Sequence, residues 1–563
     1  MANLCLLLES KSYKFDILLL EEEKYIGVNM KKISKILILL LSILLFSACQ
    51  KSKDENMDND YDFGTNKGSR LIKIVSGSEN KELEPLFDKF SKKENIKIQI
   101  EYKGSLDIMR DLADENIEYD AVFPASSIWL NIGDKNHILK HQNSISQSPV
   151  IFAIKKSKAK ELGFIGKDVS VRDIMQTIKD GKLSFAMTNA SQSNSGSSAY
   201  LGFLTALSGK EVLDLESLDD EGLRKDIKDI LMGVNRSSGS SNWLVDLFLS
   251  SDYDAMVNYE TLVIKTNEEL KKAGKEELFM VYPYDGMALA DSPLAYVDKN
   301  DKAKEEDFIK LQEFLLSPES QDFIEKTGRR NAFGKVSDTN KDVFDKDLGA
   351  KIDRDISYIK YPQAEVIEKA LDLYQISFKK PAYTYYVLDY SGSMSGAGNE
   401  EMMAALNQLF IPENAKKHLL LGTSEDITKL LAFSTDIITT KEARGNSDQI
   451  EELYNIAKDI RPDGGTSLYF AVLTALKDLE SKDLDGYSPA IIVLSDGMAG
   501  DKIFAQDIEE IYKNEAIDIP IFSIKFGDAQ DEDLDFFASI SRGKVFDGKD
   551  DLSKTFREVK AYN

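Results

Sequence analysis

A chain of 563 residues is too long for one hydrophobic core, which sets an expectation of about three or four folding units. With 42% hydrophobic and 30% charged residues, its composition is that of a globular protein rather than a disordered one. The formal net charge of −25 lacks the basic footprint of a nucleic-acid binder, and two cysteines, Cys5 and Cys49, rule out a disulfide framework.

From the N-terminus, Met30-Lys31-Lys32 with Lys35 makes a basic start, Ile36 to Phe46 is an apolar run, and Ser47-Ala48-Cys49 ends it with small residues before a cysteine. This order resembles a bacterial lipoprotein signal peptide over residues 30–48, which implies cleavage before Cys49 and a lipid on its thiol. The apolar run is short against the roughly 20 residues of a bilayer-spanning helix. Residues 1–29 precede the basic start and read as an upstream extension outside the native protein. Residues 49–69 are polar and acidic and read as a flexible tether.

Between 70 and 375 strand-like runs repeatedly empty into serine- and glycine-rich turns. Leu71 to Val75 leads to Ser76-Gly77-Ser78-Glu79. Ile96 to Tyr102 leads to Gly104-Ser105, and Ala121-Val122-Phe123 leads to Pro124-Ala125-Ser126-Ser127. Thr188 to Ser198 is the densest hydroxyl cluster and reads as a turn before a helix over Ala199–Leu207; Val234 to Ser241 reads as another such loop. Asp254 to Glu260 reads as a strand ending on Tyr259 and Glu260. Pro149–Ile154 and Asp291–Val297 are the expected crossings into and out of a second lobe at about 149–282.

These turns resemble those of bacterial extracellular solute-binding proteins of the two-lobed, two-crossing type. The resemblance implies a periplasmic-binding-protein-like module, hinge closure and one small solute held between the lobes. Ser76, Ser78, Glu79, Ser126, Ser127, Ser195, Tyr259 and Glu260 are the expected contacts, and Glu79 and Glu260, if they face the cleft, would favour a cationic or hydroxylated solute. Residues 361–381 hold a helical pattern and then Lys379-Lys380-Pro381, a hinge into the last module.

From 380 to 563 the pattern alternates strand and helix as in a doubly wound α/β sheet. Tyr385 to Leu388 is an apolar run ending in Asp389-Tyr390-Ser391-Gly392-Ser393. Asp463-Gly464-Gly465-Thr466 is a glycine-rich turn before a helix, and Pro489 to Ser495 ends in Asp496-Gly497. Carboxylates and hydroxyls at the C-terminal mouths of buried strands are where open α/β sheets take ligands. Asp389, Ser391, Ser393, Thr466 and Asp496 resemble, in order, the metal-ion-dependent adhesion site of the von Willebrand factor A (VWA) domain. That resemblance implies a Rossmann-like domain holding Mg2+, or another divalent cation such as Mn2+ or Ca2+, on hard oxygens. The ion would be under-neutralised and would recruit a carboxylate from a partner protein.

Neither a nucleophile elbow nor a phosphate-binding loop is present, and the three histidines include only one pair, His137 and His141, at helical spacing. The expected protein is therefore not an enzyme. It is a lipid-anchored binding protein outside the cytoplasm, with a small solute and an acidic protein as partners and no nucleic acid. The alternative is the substrate-binding component of a membrane transporter whose last module docks a partner.

Overall fold

The computed structural model describes residues 60–63, 70–113, 117–353, 355–417, 420–445, 448–496, 499–514, 517–525, 531–548 and 552–562. The proposed signal peptide and Cys49 lie outside the described residues. Among the described residues, no helix is long and apolar enough to cross a membrane.

The first sheet grows from β1 (Asp60–Phe63), β2 (Arg70–Gly77), β3 (Ile96–Lys103), β4 (Ala121–Phe123) and β5 (Leu139–Ser144). β3 alternates strictly, with Ile96, Ile98, Ile100 and Tyr102 buried, because only one face of this strand meets the helices that cover the sheet. The chain then leaves to form β6 (Ser148–Lys155), β7 (Phe185–Thr188), β8 (Val234–Ser238), β9 (Ala255–Tyr259), β10 (Leu278–Val281) and the short β11 (Leu289–Ala290). It returns as β12 (Pro293–Val297), which completes the order β1-β3-β2-β4-β12-β5, while the second sheet runs β10-β6-β9-β7-β8 with β11 on β6. Two lobes result. They share apolar packing, with Leu106 and Trp129 of the first buried in the same cluster as Phe152 and Tyr259 of the second.

The last module is a third sheet of six strands: β13 (Ala382–Asp389), β14 (Ile427–Phe433), β15 (Ile437–Arg444), β16 (Ser488–Ser495), β17 (Ile521–Lys525) and β18 (Lys544–Asp547). Its order is β15-β14-β13-β16-β17-β18, parallel throughout except for the antiparallel edge strand β15. All eight residues of β13 are buried. Tyr386 and Leu388 pack into the core on one face, and Tyr383, Tyr385 and Val387 into the core on the other. A strand covered on both faces cannot show polar alternation, so this one reads as a continuous apolar run.

Three sequence expectations are corrected. Val234–Ser238 is strand β8 rather than a loop; its inward positions include Arg236 and Ser238, and that polar face hides the period of two. The helix expected from Ala199 begins at Asn194, so Ser195, Ser197 and Ser198 lie inside its first turns. Small residues are needed there, because a Cβ on Gly196 would sit 2.2 Å from the Thr188 carbonyl. Asp60–Phe63, read as part of the flexible tether, is strand β1 and pairs antiparallel with β3. His137 and His141 are both exposed, and His141 Nε2 lies 2.7 Å from Glu305 Oε1.

The buried Arg236 has its partner in the last module. Its Nη1 donates to Asp518 Oδ1 at 2.7 Å and its Nη2 to the Arg542 carbonyl, while the Tyr253 hydroxyl donates to Asp518 Oδ2. Trp243 meets Tyr562 edge to face at 4.6 Å, and a Cβ on Gly239 would lie 2.6 Å from the Tyr562 ring. The last module therefore rests on the second lobe through the N-terminal ends of its parallel strands. Asp518→Ala should lower stability in urea denaturation by about 1–3 kcal/mol, since it leaves a near-buried guanidinium under-paired. The exposed Glu313→Ala should stay within about 0.5 kcal/mol of the parent.

Candidate functional site

In the last module the strand order reverses at β13, with β14 on one side and β16 on the other. Helices leave in opposite directions at such a point, so a crevice opens at the carboxyl ends of the two central strands. Asp389 is the last residue of β13, and Asp496 directly follows β16. Ser391, Ser393, Asp389 and Asp496 form one hydrogen-bonded chain. Asp389 Oδ1 accepts from the Ser391 N–H at 2.8 Å, the Ser391 and Ser393 hydroxyls lie 3.0 Å apart, and the Ser393 hydroxyl donates to Asp496 Oδ1 at 2.9 Å.

Thr466 arrives on a neighbouring loop held by backbone. The Gly392 N–H donates to the Gly464 carbonyl and the Gly500 N–H to the Thr466 carbonyl. Gly464 has φ of +86°, a left-handed conformation that favours glycine at this turn. The same loop is tied to the end of β14, where the Gly465 N–H donates to the Thr435 hydroxyl at 2.7 Å and the Ser467 hydroxyl donates to the Thr435 carbonyl. The loops after β13 and β16 and the turn at 463–466 thus converge on one crevice.

Asp389 is fully buried. Burial lifts its carboxyl above the usual carboxylate range; donation from Ser495 and Ser391 pulls it back, and the charge of Asp496 pushes it up again. Ser495, the last residue of β16, was not singled out in the sequence, yet its hydroxyl donates to Asp389 Oδ2 at 2.6 Å across the switch point. The signal was present in Leu494-Ser495-Asp496, where the strand's final inward position is a hydroxyl. Among the described residues no group of three or more His, Cys, Asp and Glu side chains is placed to hold a metal. A cation here would depend on hydroxyls together with the Asp389–Asp496 pair. A buried Asp389 and a half-buried Asp496 that raise each other's charging cost suit a hard cation, which would neutralise their repulsion.

The second set of expected residues lies where the two lobes meet. Trp129 Nε1 donates to Asn194 Oδ1 at 2.5 Å, and Asn242 Nδ2 donates to the Ser78 carbonyl at 3.3 Å, so both contacts join one lobe to the other. Tyr259 is buried at the end of β9, and its hydroxyl accepts from Asn194 Nδ2 at 2.9 Å. Glu79 folds back over Gly77, where a Cβ would lie 2.0 Å from Oε1. Burial pushes Glu79 up to about 7, with its own backbone N–H and the charge of Arg329 opposing the rise. Ser126 caps the helix Ser127–Gly133, and the Ser127 N–H donates to Asp291 Oδ1 at 2.7 Å.

Other expected contacts are committed to the protein itself. Ser76 donates to the Phe123 carbonyl. The Ser195 hydroxyl lies between the hydroxyls of Thr188 and Ser241 at 2.8 and 2.7 Å. Glu260 takes a two-pronged pair from Arg330, at 2.7 and 2.8 Å, plus the Tyr282 hydroxyl. With Glu260 fully buried and Arg330 nearly so, this pair clamps the return of the chain to the second lobe. The sequence reading did not single out Asn80, Asn194, Asp291 or Arg330 as functional, because their partners are distant in the chain and the serines around Asn80 and Asn194 drew the expected contacts instead.

Residues 72–330 match the family model described as bacterial extracellular solute-binding protein, and residues 385–558 match the von Willebrand factor type A domain. The chain joins a solute-binding domain to a VWA domain. Solved structures similar to the solute-binding domain include a ferric binding protein from Campylobacter jejuni, at 16% identity, covering 54% of this chain and 98% of that one, with a TM-score of 0.39. A putative extracellular solute-binding protein from Bordetella parapertussis is similar at 13% identity, covering 54% and 96%, with a TM-score of 0.40. No curated protein matches the chain.

Glu260→Ala should destabilise the solute-binding domain by about 3–5 kcal/mol in chemical denaturation, because it leaves the Arg330 charge buried without its carboxylate. A loss below about 1 kcal/mol would mean the pair does not clamp the domain.

Proposed function

We propose that the chain is a lipid-anchored binding protein of the cell envelope that engages two ligands. The VWA domain holds Mg2+ through Ser391, Ser393 and Thr466, with Asp389 and Asp496 balancing its charge, and presents it to a carboxylate on a partner protein. The solute-binding domain captures a small solute between its lobes. The observation carrying the first half is the chain of hydrogen bonds from buried Asp389 through Ser391 and Ser393 to Asp496 at the sheet's switch point. When bound, Mg2+ would supply a Lewis-acidic position with a preference for an oxygen anion.

What the residues do by themselves follows from their bonds. Ser495 and the Ser391 N–H orient the Asp389 carboxylate, and Ser393 ties the first loop to Asp496. The crevice is also accessible. β13 is eight residues long, so the docked N-terminal edge of the sheet and the Asp389 edge are separated by roughly 25 Å at about 3.3 Å per residue. Ser393 and Gly392 are exposed on the edge remote from the second lobe.

A second reading, that the protein serves a membrane transporter, is favoured by the solute-binding match itself. In it, the VWA domain would dock the permease or an accessory protein by the same metal. Extracytoplasmic placement accords with the extracellular solute-binding family, and anchoring through Cys49 is part of the proposal.

Calorimetric titration with Mg2+ tests the metal assignment. The parent chain should bind one ion, and Asp389→Ala should lose at least tenfold in affinity while keeping its circular dichroism spectrum. Equal affinity in parent and variant would remove the metal from this site.

A further inference from the structure

Where the lobes meet, two buried acceptors lack a donor. Glu79 Oε1 and Asn80 Oδ1, on consecutive residues just after β2, are buried and have no hydrogen-bond partner. The Asn80 amide nitrogen is already engaged by Ser76 Oγ and the Phe123 carbonyl. A buried acceptor without a donor is destabilising, so two neighbours of this kind favour donors brought from outside the chain.

The guanidinium groups of Arg329 and Arg330 are committed elsewhere. Arg329 Nη1 donates to Glu82 and to the Thr327 hydroxyl, and its Nη2 donates to the Glu79 backbone carbonyl rather than to the carboxylate. Arg330 is held by Glu260 and the Lys351 carbonyl. A second carboxylate, Asp291, lies on the first-lobe side and takes the Ser127 N–H. Facing Glu79 from the second lobe is Tyr259, whose hydroxyl is itself engaged by Asn194.

Charge then decides between solute classes. Beside the ionised Glu79 carboxylate an anion is repelled and a cation attracted. A bare metal ion is disfavoured against an organic cation, since no group of three carboxylate, imidazole or thiol side chains gathers among the described residues.

We propose that the interlobe cleft takes a small organic cation bearing amine N–H groups, with Glu79 as its counter-ion and Asn80 as a second acceptor. This rests on the reading that the cleft captures a solute. The cation needs the ionised form of Glu79, and burial raises that group to about 7 against the pull of Arg329. Protons therefore compete with the solute, and affinity falls as pH drops through 7.

The test is calorimetric titration of the full chain with two probe sets: putrescine, arginine, choline and thiamin, and then sulfate, phosphate and citrate. The expected result is that at least one amine binds and the anions do not. Its affinity should fall about tenfold from pH 8 to pH 6, and Glu79→Gln should weaken it at least tenfold at pH 8 and abolish that pH dependence. Glu79→Asp, which keeps the charge, should retain the pH dependence if the glutamine variant proves unstable. An anion binding more tightly than any amine, or an amine bound equally by Glu79→Gln, overturns the proposal. Heat from neither set would instead overturn the underlying reading that the cleft captures a solute.

Discussion

A carboxylate held at zero exposure at the reversal point of a parallel sheet is the constraint from which the VWA domain's upper edge follows. Asp389 is desolvated, so it must be hydrogen-bonded or neutralised to remain an anion. Ser391 N and Ser495 Oγ supply two bonds, one from its own loop and one from the neighbouring strand. The second bond requires β13 and β16 to end together. Their pairing keeps Leu388 level with Leu494, so the residues that follow, Asp389 and Ser495, emerge side by side. A slip by one residue between the two strands would separate Asp389 from Ser495. The 463–466 turn then has to approach within backbone hydrogen-bonding distance of Gly392, which explains its glycines.

The domain is used at both ends. Its lower edge, with Asp518, Arg542 and Tyr562, packs on the second lobe around Arg236 and Trp243. Its upper edge carries the oxygen-rich crevice, remote from that contact. One surface of the solute-binding domain thus carries the VWA domain without covering the crevice. The helix Ser241–Leu249 also reaches both regions. Its first residues, Ser241 and Asn242, contact Ser195 and Ser78 at the lobe junction, and Trp243 contacts Tyr562.

Much of this could be read from residue order. Buried central strands such as β13 and β16 announce themselves as largely apolar runs, and their polar endings fall at the crevice because that is where a parallel sheet releases its chain. The solute-binding fold was legible through strand-to-serine turns, although the turns proved to be largely packing devices: Ser195 and Ser76 satisfy their own lobes, and Glu260 is a clamp for Arg330. β8 was hidden because its inward face is polar to suit Asp518. β15 was hidden because it is a charged edge strand with few buried positions. Neither is visible without its tertiary partner. Ser495 was passed over for the same reason, since a serine ending a strand acquires meaning only when Asp389 lies beside it.

Anomalous diffraction from crystals soaked in Mn2+ tests the metal assignment most directly. One strong peak should lie within about 2.5 Å of the Ser391, Ser393 and Thr466 hydroxyls, with Asp389 and Asp496 close behind. A crevice without a peak, or a peak held by other residues while this one stays empty, would contradict it.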